Sequence, residues 1–304
     1  MSKIVCICLS ATIQKTIQFK TLNLENVNRS ENYIKDASGK AVNSARVLNQ
    51  LEPQTSSVVC PLGIKNADDF LELAEKDSIN ITAVKIPGFT RECWTLIDRS
   101  RHTTTELVVS EPKFNEDYSA EEEEEEELLF EARKEIEKSE AVILAGSRPE
   151  FWTEEICALI AKITKSAGKI LLADFCGKDL ANTIEICVPD IIKINEEEFF
   201  KTFGYSPFTP EKALKELIKA KSSELQNILI VTRGTKSTLA AQKGAFVEFP
   251  AEKIIPVNTT ACGDSFNAGF IYEYLKTNDF QSALAKGTWC AARNAENIRP
   301  GSII

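Results

Sequence analysis

The chain has 304 residues, of which 43% are hydrophobic and 27% charged, and its formal net charge is −9 at pH 7. A chain of this length can bury one large core and carry a small appended domain. An acidic protein has no long-range attraction for nucleic-acid phosphates or anionic lipid, so this charge argues against nucleic acid and membrane surfaces as partners.

Taken in chain order, short apolar runs typical of buried strands alternate with amphipathic segments. This alternation predicts βαβ units around a largely parallel sheet, with helices on both faces. The fold class is therefore predicted as α/β. The predicted strands are 4–9, 57–61, 141–145, 170–174, 191–194 and 228–232. The predicted helices are 41–50, 68–76, 154–166, 210–221, 264–276 and 281–297.

Two regions, 13–35 and 89–110, interrupt the alternation with β-type runs around polar turns. They predict antiparallel strands outside the parallel core. We expect a small β-lid over the carboxyl edge of the sheet, where ligands of open α/β sheets bind. The predicted division is a core of residues 1–12, 36–88 and 111–304 and a lid of residues 13–35 and 89–110.

The acidic run 121–127 leads directly into a helical pattern. Like charges in a block can mark an interaction tail. A position just before an apolar-periodic stretch instead favours the solvated first turns of a helix, where negative charge also suits the helix dipole.

The nine cysteines are scattered, without the spacing of zinc knuckles or of a disulfide framework. The amino terminus has too short an apolar run for a signal peptide, and no run is long enough to cross a membrane. Free thiols in a cytoplasmic protein are therefore expected. The single histidine, His102, lies in a polar turn. This argues against a metal site with two histidines and against a Ser-His-Asp triad.

The most informative segment is Asn258-Thr-Thr-Ala-Cys-Gly-Asp-Ser-Phe. Small residues followed by Asp264 and an apolar-periodic stretch predict a tight loop running into a helix, whose first amides can hold phosphate oxygens. A carboxylate beside such an anion site can accept the proton of an attacking hydroxyl. The alternative is purely structural, because Asp is also a common helix cap.

This segment resembles the second signature of the ribokinase/PfkB-type carbohydrate kinases, D/N-T-x-G-A-G-D-x-F. The resemblance implies a ribokinase-like fold with Asp264 as the catalytic base, ATP as the phosphoryl donor and Mg²⁺ as the accompanying ion. It also implies an anion hole built from the amides of Ala261, Cys262, Gly263 and Asp264. At a helix amino terminus, the Cys262 thiol is expected to have a lowered pKa and to be reactive, unless it is a buried, inert residue.

Further family elements recur in order along the chain. Segment 36–48 resembles the glycine-rich sugar-site element G-G-K-G-x-N-x-A-R-x-L, and segment 9–14 stands where members carry L-N-P-A-x-D. Short N-R, T-R and G-S matches follow at 28–29, 90–91 and 146–147. By this resemblance the substrate-binding residues are Gln14, Arg29, Ser38, Gly39, Lys40, Asn43, Arg91 and Ser147.

On the nucleotide side, segment 193–198 resembles K-x-N-x-x-E, which implies that Asn195 and Glu198 organise Mg²⁺. A single N-x-x-E suits an ion that needs few protein carboxylates. Segment 232–235 resembles the T/S-x-G loop beside the ATP phosphates. Segment 290–294 occupies the position of the family segment that covers the adenine ring. The implied nucleotide-binding residues are Asn195, Thr232, Gly234 and Asn294.

The basic residues Arg29, Lys40 and Arg91 give an acidic protein a local cationic pocket, and guanidinium groups bind phosphate through two parallel hydrogen bonds. The resemblance is closest to the 1-phosphofructokinase/tagatose-6-phosphate kinase branch. It implies phosphorylation of fructose 1-phosphate or a related ketose phosphate, such as tagatose 6-phosphate, and favours a homodimer through the lid.

The sequence departs from the family pattern at Gln14, which replaces a substrate-binding Asp, and at several loop glycines. An amide accepts hydrogen bonds more weakly than a carboxylate. Two alternatives therefore stay open beside the sugar-phosphate kinase. One is an impaired family member that only binds nucleotide or sugar, and the other is a kinase for a non-phosphorylated acceptor.

Overall fold

The computed structural model describes residues 4–111 and 121–304. Its strands are β1 Ile4–Ile7, β2 Thr12–Phe19, β3 Asn32–Ser38, β4 Ser56–Gly63, β5 Asn80–Ile86, β6 Arg91–Asp98, β7 Thr103–Val108, β8 Ala141–Ala145, β9 Ile170–Asp174, β10 Ile191–Asn195, β11 Ile228–Thr232, β12 Thr238–Gln242 and β13 Ala245–Phe249. Its helices are α1 Lys40–Leu51, α2 Ala67–Lys76, α3 Glu121–Lys138, α4 Ile156–Ser166, α5 Lys178–Ile186, α6 Glu196–Phe203, α7 Glu211–Leu225, α8 Cys262–Thr277 and α9 Phe280–Ala295.

A nine-stranded sheet forms the centre of the molecule, in the order β13-β12-β11-β10-β9-β8-β1-β4-β5. The strands from β11 to β5 run parallel, while β12 and β13 add an antiparallel edge. One face packs against α1, α2, α8 and α9, and the other against α3 to α7. The central strands are continuous apolar runs because both of their faces are buried. The predicted α/β class with a largely parallel sheet is confirmed.

A second sheet has four strands in the order β3-β2-β6-β7. Two antiparallel hairpins, β2–β3 and β6–β7, are joined by the parallel pair β2–β6. These strands come from the two regions that interrupt the βα alternation, so the predicted second, smaller sheet is confirmed. The boundaries proposed for core and lid stay a prediction, and residues 1–3 and 112–120 lie outside the described ranges.

The two sheets meet very closely at Gly63, the last residue of β4. A Cβ at this position would lie 2.3 Å from the backbone nitrogen of Thr90, just before β6 begins. The Gly63 amide donates to Thr90 Oγ1 at 2.9 Å. Only glycine permits this approach, which fixes where the lid strand leaves the core.

The acidic run is the start of α3, as predicted. Glu123, Glu126 and Glu127 are exposed. Glu125 is buried and accepts hydrogen bonds from the backbone nitrogen and Oγ1 of Thr153, at 2.8 and 2.6 Å. At positions 123–127 the run is thus mainly a solvated helix face, with one carboxylate that ties α3 to the segment before α4.

No helix within the described ranges combines the length and the apolarity needed to cross a lipid bilayer. All nine cysteines are free thiols, as predicted.

Candidate active site

Several of the predicted site residues converge where the carboxyl ends of the central strands meet the first turns of α1 and α8. In an open α/β sheet this edge carries exposed strand ends and unpaired helix amides, which together can bind a ligand. The side chains here come from segments far apart in the sequence, and hydrogen bonds between them define the site.

Asp264 lies in the first turn of α8 and is only 6% exposed. Its Oδ2 accepts a hydrogen bond from Asn43 Nδ2 at 2.9 Å. Burial raises the pKa of Asp264 to about 6, although nearby Lys40 opposes the shift. A buried carboxyl group with a pKa near neutrality can take up a proton from a hydroxyl during reaction.

Asn43 is oriented by its other amide atom. Its Oδ1 accepts from Ser38 Oγ at 2.9 Å and from Arg46 Nη1 at 3.0 Å, which leaves Nδ2 to face Asp264. Arg46 is buried and is held in turn by Asp77 at 2.8 Å. The predicted residues Ser38 and Asn43 are therefore brought together with the candidate base.

Asp174, at the end of β9, is a buried carboxylate that the sequence analysis missed. It accepts hydrogen bonds from Lys193 Nζ at 3.0 Å, Lys40 Nζ at 3.2 Å and Asn267 Nδ2 at 2.6 Å. Burial alone would raise the pKa of Asp174, but the two lysines outweigh it and hold the pKa well below its usual range. Asp174 in return raises the pKa of Lys40.

Asp264, Asp174, Lys40 and Lys193 together form what we call the carboxylate–lysine cluster. A Cβ on Gly263 would come within 2.7 Å of Lys193 Nζ, so this glycine leaves room for an ammonium group beside the start of α8. The cluster thus sets two cations next to the candidate base. Such an arrangement can stabilise negative charge that develops on a transferred group.

The predicted anion hole is modified in one respect. The backbone nitrogen of Cys262 already donates to Thr259 O at 3.3 Å. The amides of Ala261, Gly263 and Asp264 donate to none of the described residues, so they remain available to an anion. Ala261 has φ 64°, a left-handed conformation that costs a non-glycine residue about 1 kcal/mol.

The lowered pKa expected for Cys262 is not found, which favours the alternative of a buried, inert thiol. Burial raises its pKa to about 11, against a hydrogen bond that Asn294 Nδ2 donates to Cys262 Sγ at 3.3 Å. Desolvation of the thiolate outweighs the helix amino terminus, because the carboxyl end of α9 covers this loop.

Asn195 and Glu198 form a capping box at the start of α6. Asn195 Oδ1 accepts from the Glu198 backbone nitrogen, and Glu198 Oε2 accepts from the Asn195 backbone nitrogen, both at 2.8 Å. Glu198 Oε1 points to the other side and lies 4.0 Å from Lys40 Nζ. This second oxygen is free of the cap and fits an ion held mainly by water and phosphate oxygens. The described residues contain no complete metal site of three or more ligating side chains.

The remaining nucleotide positions differ in exposure. Thr232 ends β11 and Gly234 is an exposed glycine with φ 60°. Asn294 is buried. Its Nδ2 donates a hydrogen bond to Thr260 O at 2.8 Å, and its Oδ1 accepts one from the Gly301 backbone nitrogen at 2.7 Å. It therefore supports the loop before α8 from inside the protein, and its contact with a nucleotide stays a prediction.

Gly39 and Ser147 lie on the loops around Lys40. Gly39 has φ 126°, and a Cβ there would meet Cys8 Sγ at 2.7 Å, so only glycine fits between β3 and α1. Ser147 is exposed on the loop after β8. Its neighbour Gly146 lies close to the Lys40 side chain.

Gln14, on β2, is buried, and its Nε2 donates to Thr95 Oγ1 at 2.7 Å. Residues opposite each other in neighbouring strands share a face, so Gln14, Arg91 and Thr95 lie on one face of the lid with Glu106. Glu106 Oε1 accepts from Thr260 Oγ1 at 2.8 Å. This face is therefore directed at the loop that carries Asp264.

Arg91, which was expected to belong to a cationic pocket, lies beside a carboxylate. Its Nε lies 3.0 Å from Glu111 Oε1. Glu111 also accepts a hydrogen bond from Ser10 Oγ. We call Gln14, Arg91 and Glu111 the acceptor side of the site. Arg29 is exposed on the loop between β2 and β3 and makes no ion pair with the described residues.

The chain resembles known proteins over nearly its whole length. The model of a family described as pfkB family carbohydrate kinase matches residues 1–302. A possible 1-phosphofructokinase from Thermotoga maritima is 17% identical with a TM-score of 0.86, over 98% of this chain and 93% of that chain. Phosphofructokinase-2 from Escherichia coli in complex with fructose-6-phosphate is 14% identical with a TM-score of 0.83, over 97% and 94%. Its tetrameric inhibited form is 15% identical with a TM-score of 0.83, over the same shares.

Proposed function

The chain belongs to the pfkB family of carbohydrate kinases, and from that premise we propose that it transfers the γ-phosphoryl group of ATP to a hydroxyl of a sugar phosphate. The proposed acceptor is fructose 1-phosphate or a related ketose phosphate such as tagatose 6-phosphate. Asp264 is the proposed base, and the lysines of the carboxylate–lysine cluster and the free amides of the 261–264 loop are the proposed anion site.

The observation that carries the proposal is the pairing of Asp264 with Asn43 at the first turn of α8, beside Lys40 and Lys193. As the hydroxyl oxygen attacks the γ-phosphorus, its proton passes to the Asp264 carboxylate, and the bond between the phosphorus and the β,γ-bridging oxygen breaks. The Gly263 and Asp264 amides face the negative charge on the transferred group.

The two lysines have distinct roles in this proposal. Lys193 is nearly fully buried and lies beside Gly263, where it can contact the transferred phosphoryl group. Lys40 is partly exposed and lies between Asp174 and Glu198, at the mouth of the site. Asp174 keeps both ammonium groups in place before any ligand binds. Preorganised charges of this kind act without reorganisation during the reaction.

Glu198 and, through water, Asn195 are the residues proposed to hold Mg²⁺. When bound, the ion would neutralise charge on the donor phosphates. The Glu198 side chain is already fixed by the capping box, so its second oxygen has a defined direction.

A phosphorylated acceptor is supported by charge. Arg91 and Arg29 supply two guanidinium groups on or beside the lid, although the protein as a whole is acidic. No described residue accepts a hydrogen bond from Arg91 Nη1 or Nη2, so both groups can bind phosphate oxygens. A protein of similar fold has been solved with fructose-6-phosphate.

A second candidate function rests on Gln14. Its amide is tied to Thr95 and supplies no carboxylate to sugar hydroxyls. A protein with this change could bind nucleotide or sugar without turnover. This candidate predicts ligand binding in the absence of product formation.

The deciding experiment measures ADP release with fructose 1-phosphate, tagatose 6-phosphate, fructose 6-phosphate and free fructose. The proposal expects turnover with at least one phosphorylated sugar and much less with fructose. The Asp264→Asn variant in the same assay controls for contaminating ATPase. ATP binding without ADP release from any acceptor would instead support the second candidate, and turnover of fructose alone would assign a non-phosphorylated acceptor.

We also propose a homodimer that pairs through the four-stranded sheet. Tyr33 and Leu107 are exposed on the same face of the lid, and large apolar side chains exposed on one face favour a protein interface. A protein of similar fold has been solved as a tetramer. Sedimentation equilibrium should give twice the chain mass, and Leu107→Lys should lower that mass to one chain.

A further inference from the structure

Glu111 is a charged residue of the acceptor side for which the family resemblance gives no role. It follows β7, and its side chain is 22% exposed. Its Oε1 accepts a hydrogen bond from Ser10 Oγ and lies 3.0 Å from Arg91 Nε. Ser10 belongs to the loop between β1 and β2, so Glu111 connects the core to the lid strand that carries Arg91.

The Nε side and the terminal amino groups of the Arg91 guanidinium have different surroundings. Its Nε is fully buried and faces Glu111 without the geometry of a hydrogen bond. The Arg91 side chain as a whole is 18% exposed. Because Nε is buried and neither terminal amino group has a described partner, the terminal edge is the part of the guanidinium that a ligand can reach.

We propose that Glu111 is a positioning residue for Arg91, which holds the Nε side of the guanidinium and thereby directs Nη1 and Nη2 at the phosphate of the acceptor. This inference rests on the proposed function, because it requires a phosphorylated acceptor. Ser10 supports the arrangement by bonding the same carboxylate oxygen and so restricting its rotation.

Two physical effects of the Glu111 charge oppose each other. A carboxylate near the acceptor phosphate repels it, but Ser10 and Arg91 share the charge on Oε1. A flexible arginine loses conformational entropy when it binds, and a fixed one has already lost it. The geometry assigns the larger effect to positioning, because the carboxylate meets Nε and leaves the phosphate-binding edge open.

The test compares Glu111→Ala, Glu111→Gln and the matched control Glu92→Ala. Glu92 also lies on the lid and pairs with Lys15 at 2.5 Å, on the opposite face of the sheet. Glu111→Ala should raise the acceptor KM roughly tenfold and leave the ATP KM unchanged, a size usual for coupled neighbours. Glu111→Gln keeps an oxygen at the same place and should recover part of the loss. Glu92→Ala should change neither constant.

In an Arg91→Ala background, Glu111→Ala should have no further effect on the acceptor KM, since the residue to be positioned is gone. Wild-type turnover of a phosphorylated sugar is read first, and its absence overturns the proposed function. With that turnover established, an unchanged or lowered acceptor KM in Glu111→Ala overturns the positioning role. Equal changes in both KM values together with a lower melting temperature would show a merely structural residue and overturn it as well.

Discussion

The carboxylate–lysine cluster and the acceptor side are both lined by charged side chains, but the fold holds them in different ways. The cluster is built on central strands and helix starts, and Asp174 keeps Lys40 and Lys193 in place from a fully buried position. The acceptor side is built between the lid and a loop, from partly exposed groups such as Arg91 and Glu111 that pair with each other. The cluster is therefore fixed by the core, whereas the acceptor side depends on how the lid sits.

The two buried carboxylates beside the lysines show what a difference in partners does. Burial raises the pKa of both, but three hydrogen-bond donors, two of them charged, lower that of Asp174 far below normal. Asp264 has one neutral donor, Asn43, and burial dominates, so its pKa rises to about 6. Asp174 therefore stays charged at neutral pH, whereas Asp264 can exchange a proton near neutral pH, as the proposed base must.

The largest effect is expected at Asp264. Asp264→Asn removes the proton acceptor and should lower kcat by roughly 10²- to 10⁴-fold, the usual contribution of a positioned base. The neighbouring Asn43 can still bond the new amide, so the melting temperature and ATP affinity should stay close to wild type. Turnover within a few fold of wild type would remove Asp264 from the mechanism and leave the cluster a purely structural feature.

The next effect belongs to the acceptor side. Arg91→Ala removes a charge-assisted contact and should raise the KM of a phosphorylated acceptor about 10- to 100-fold, with little change in the KM of ATP. Initial rates measured with each substrate varied in turn give both constants. If both KM values rise together, Arg91 acts through lid structure and not through the acceptor phosphate.

A smaller effect separates the two carboxylates by pH. Asp264 is active as the carboxylate, so kcat should fall as the pH drops through about 6 and be about tenfold lower one unit below the pKa. Asp174 stays ionised over this range and so adds no further change to the dependence of kcat on pH. The assignment is checked by measuring kcat from pH 5 to 8 at saturating substrates. The control is Asp264→Asn, whose kcat should not fall at acidic pH. A profile that is flat over this range contradicts it.

The smallest effect is expected at Cys262. Its raised pKa leaves little thiolate at neutral pH, so a maleimide should inactivate wild type and Cys262→Ala at the same slow rate. Peptide mapping of the modified protein identifies any thiol that does react. Faster inactivation of wild type, with protection by ATP and acceptor, would show that the loop before α8 opens far more than its contacts indicate.

Much of the fold could be predicted because continuous apolar runs mark strands with two buried faces. The runs 141–145, 170–174 and 228–232 coincide with β8, β9 and β11. The short helices α5 and α6 and the edge strands β5 and β13 were missed, since half-buried or charged segments lack that signal. The buried strand β12 was also missed, and it is built largely of small residues. Sequence patterns identify helices and strands with strong apolar periodicity. They fail for elements that are buried on one side only, because packing against the rest of the protein then determines the local structure.

The candidate site divides in the same way. Asp264, Asn43 and Lys40 could be named because a local motif surrounds each of them. Asp174 could have been found as a carboxylate at the end of a predicted buried strand. Glu111 could not, because its partner Ser10 is 101 positions away and only the packing of the lid against the core brings them together. The raised pKa of Cys262 likewise depends on burial of the thiol, which a local motif does not reveal.

Glu106 and Thr260 join the edge of the lid to the loop that leads into α8 by one hydrogen bond of 2.8 Å. In the proposed function the sugar binds between these two parts, so an opening of the lid that admits the sugar would break this bond. A single exposed hydrogen bond contributes only about 0.5–1.5 kcal/mol, so thermal motion opens it readily. On the proposed function, opening of the lid to release product would therefore also free the loop that leads into α8.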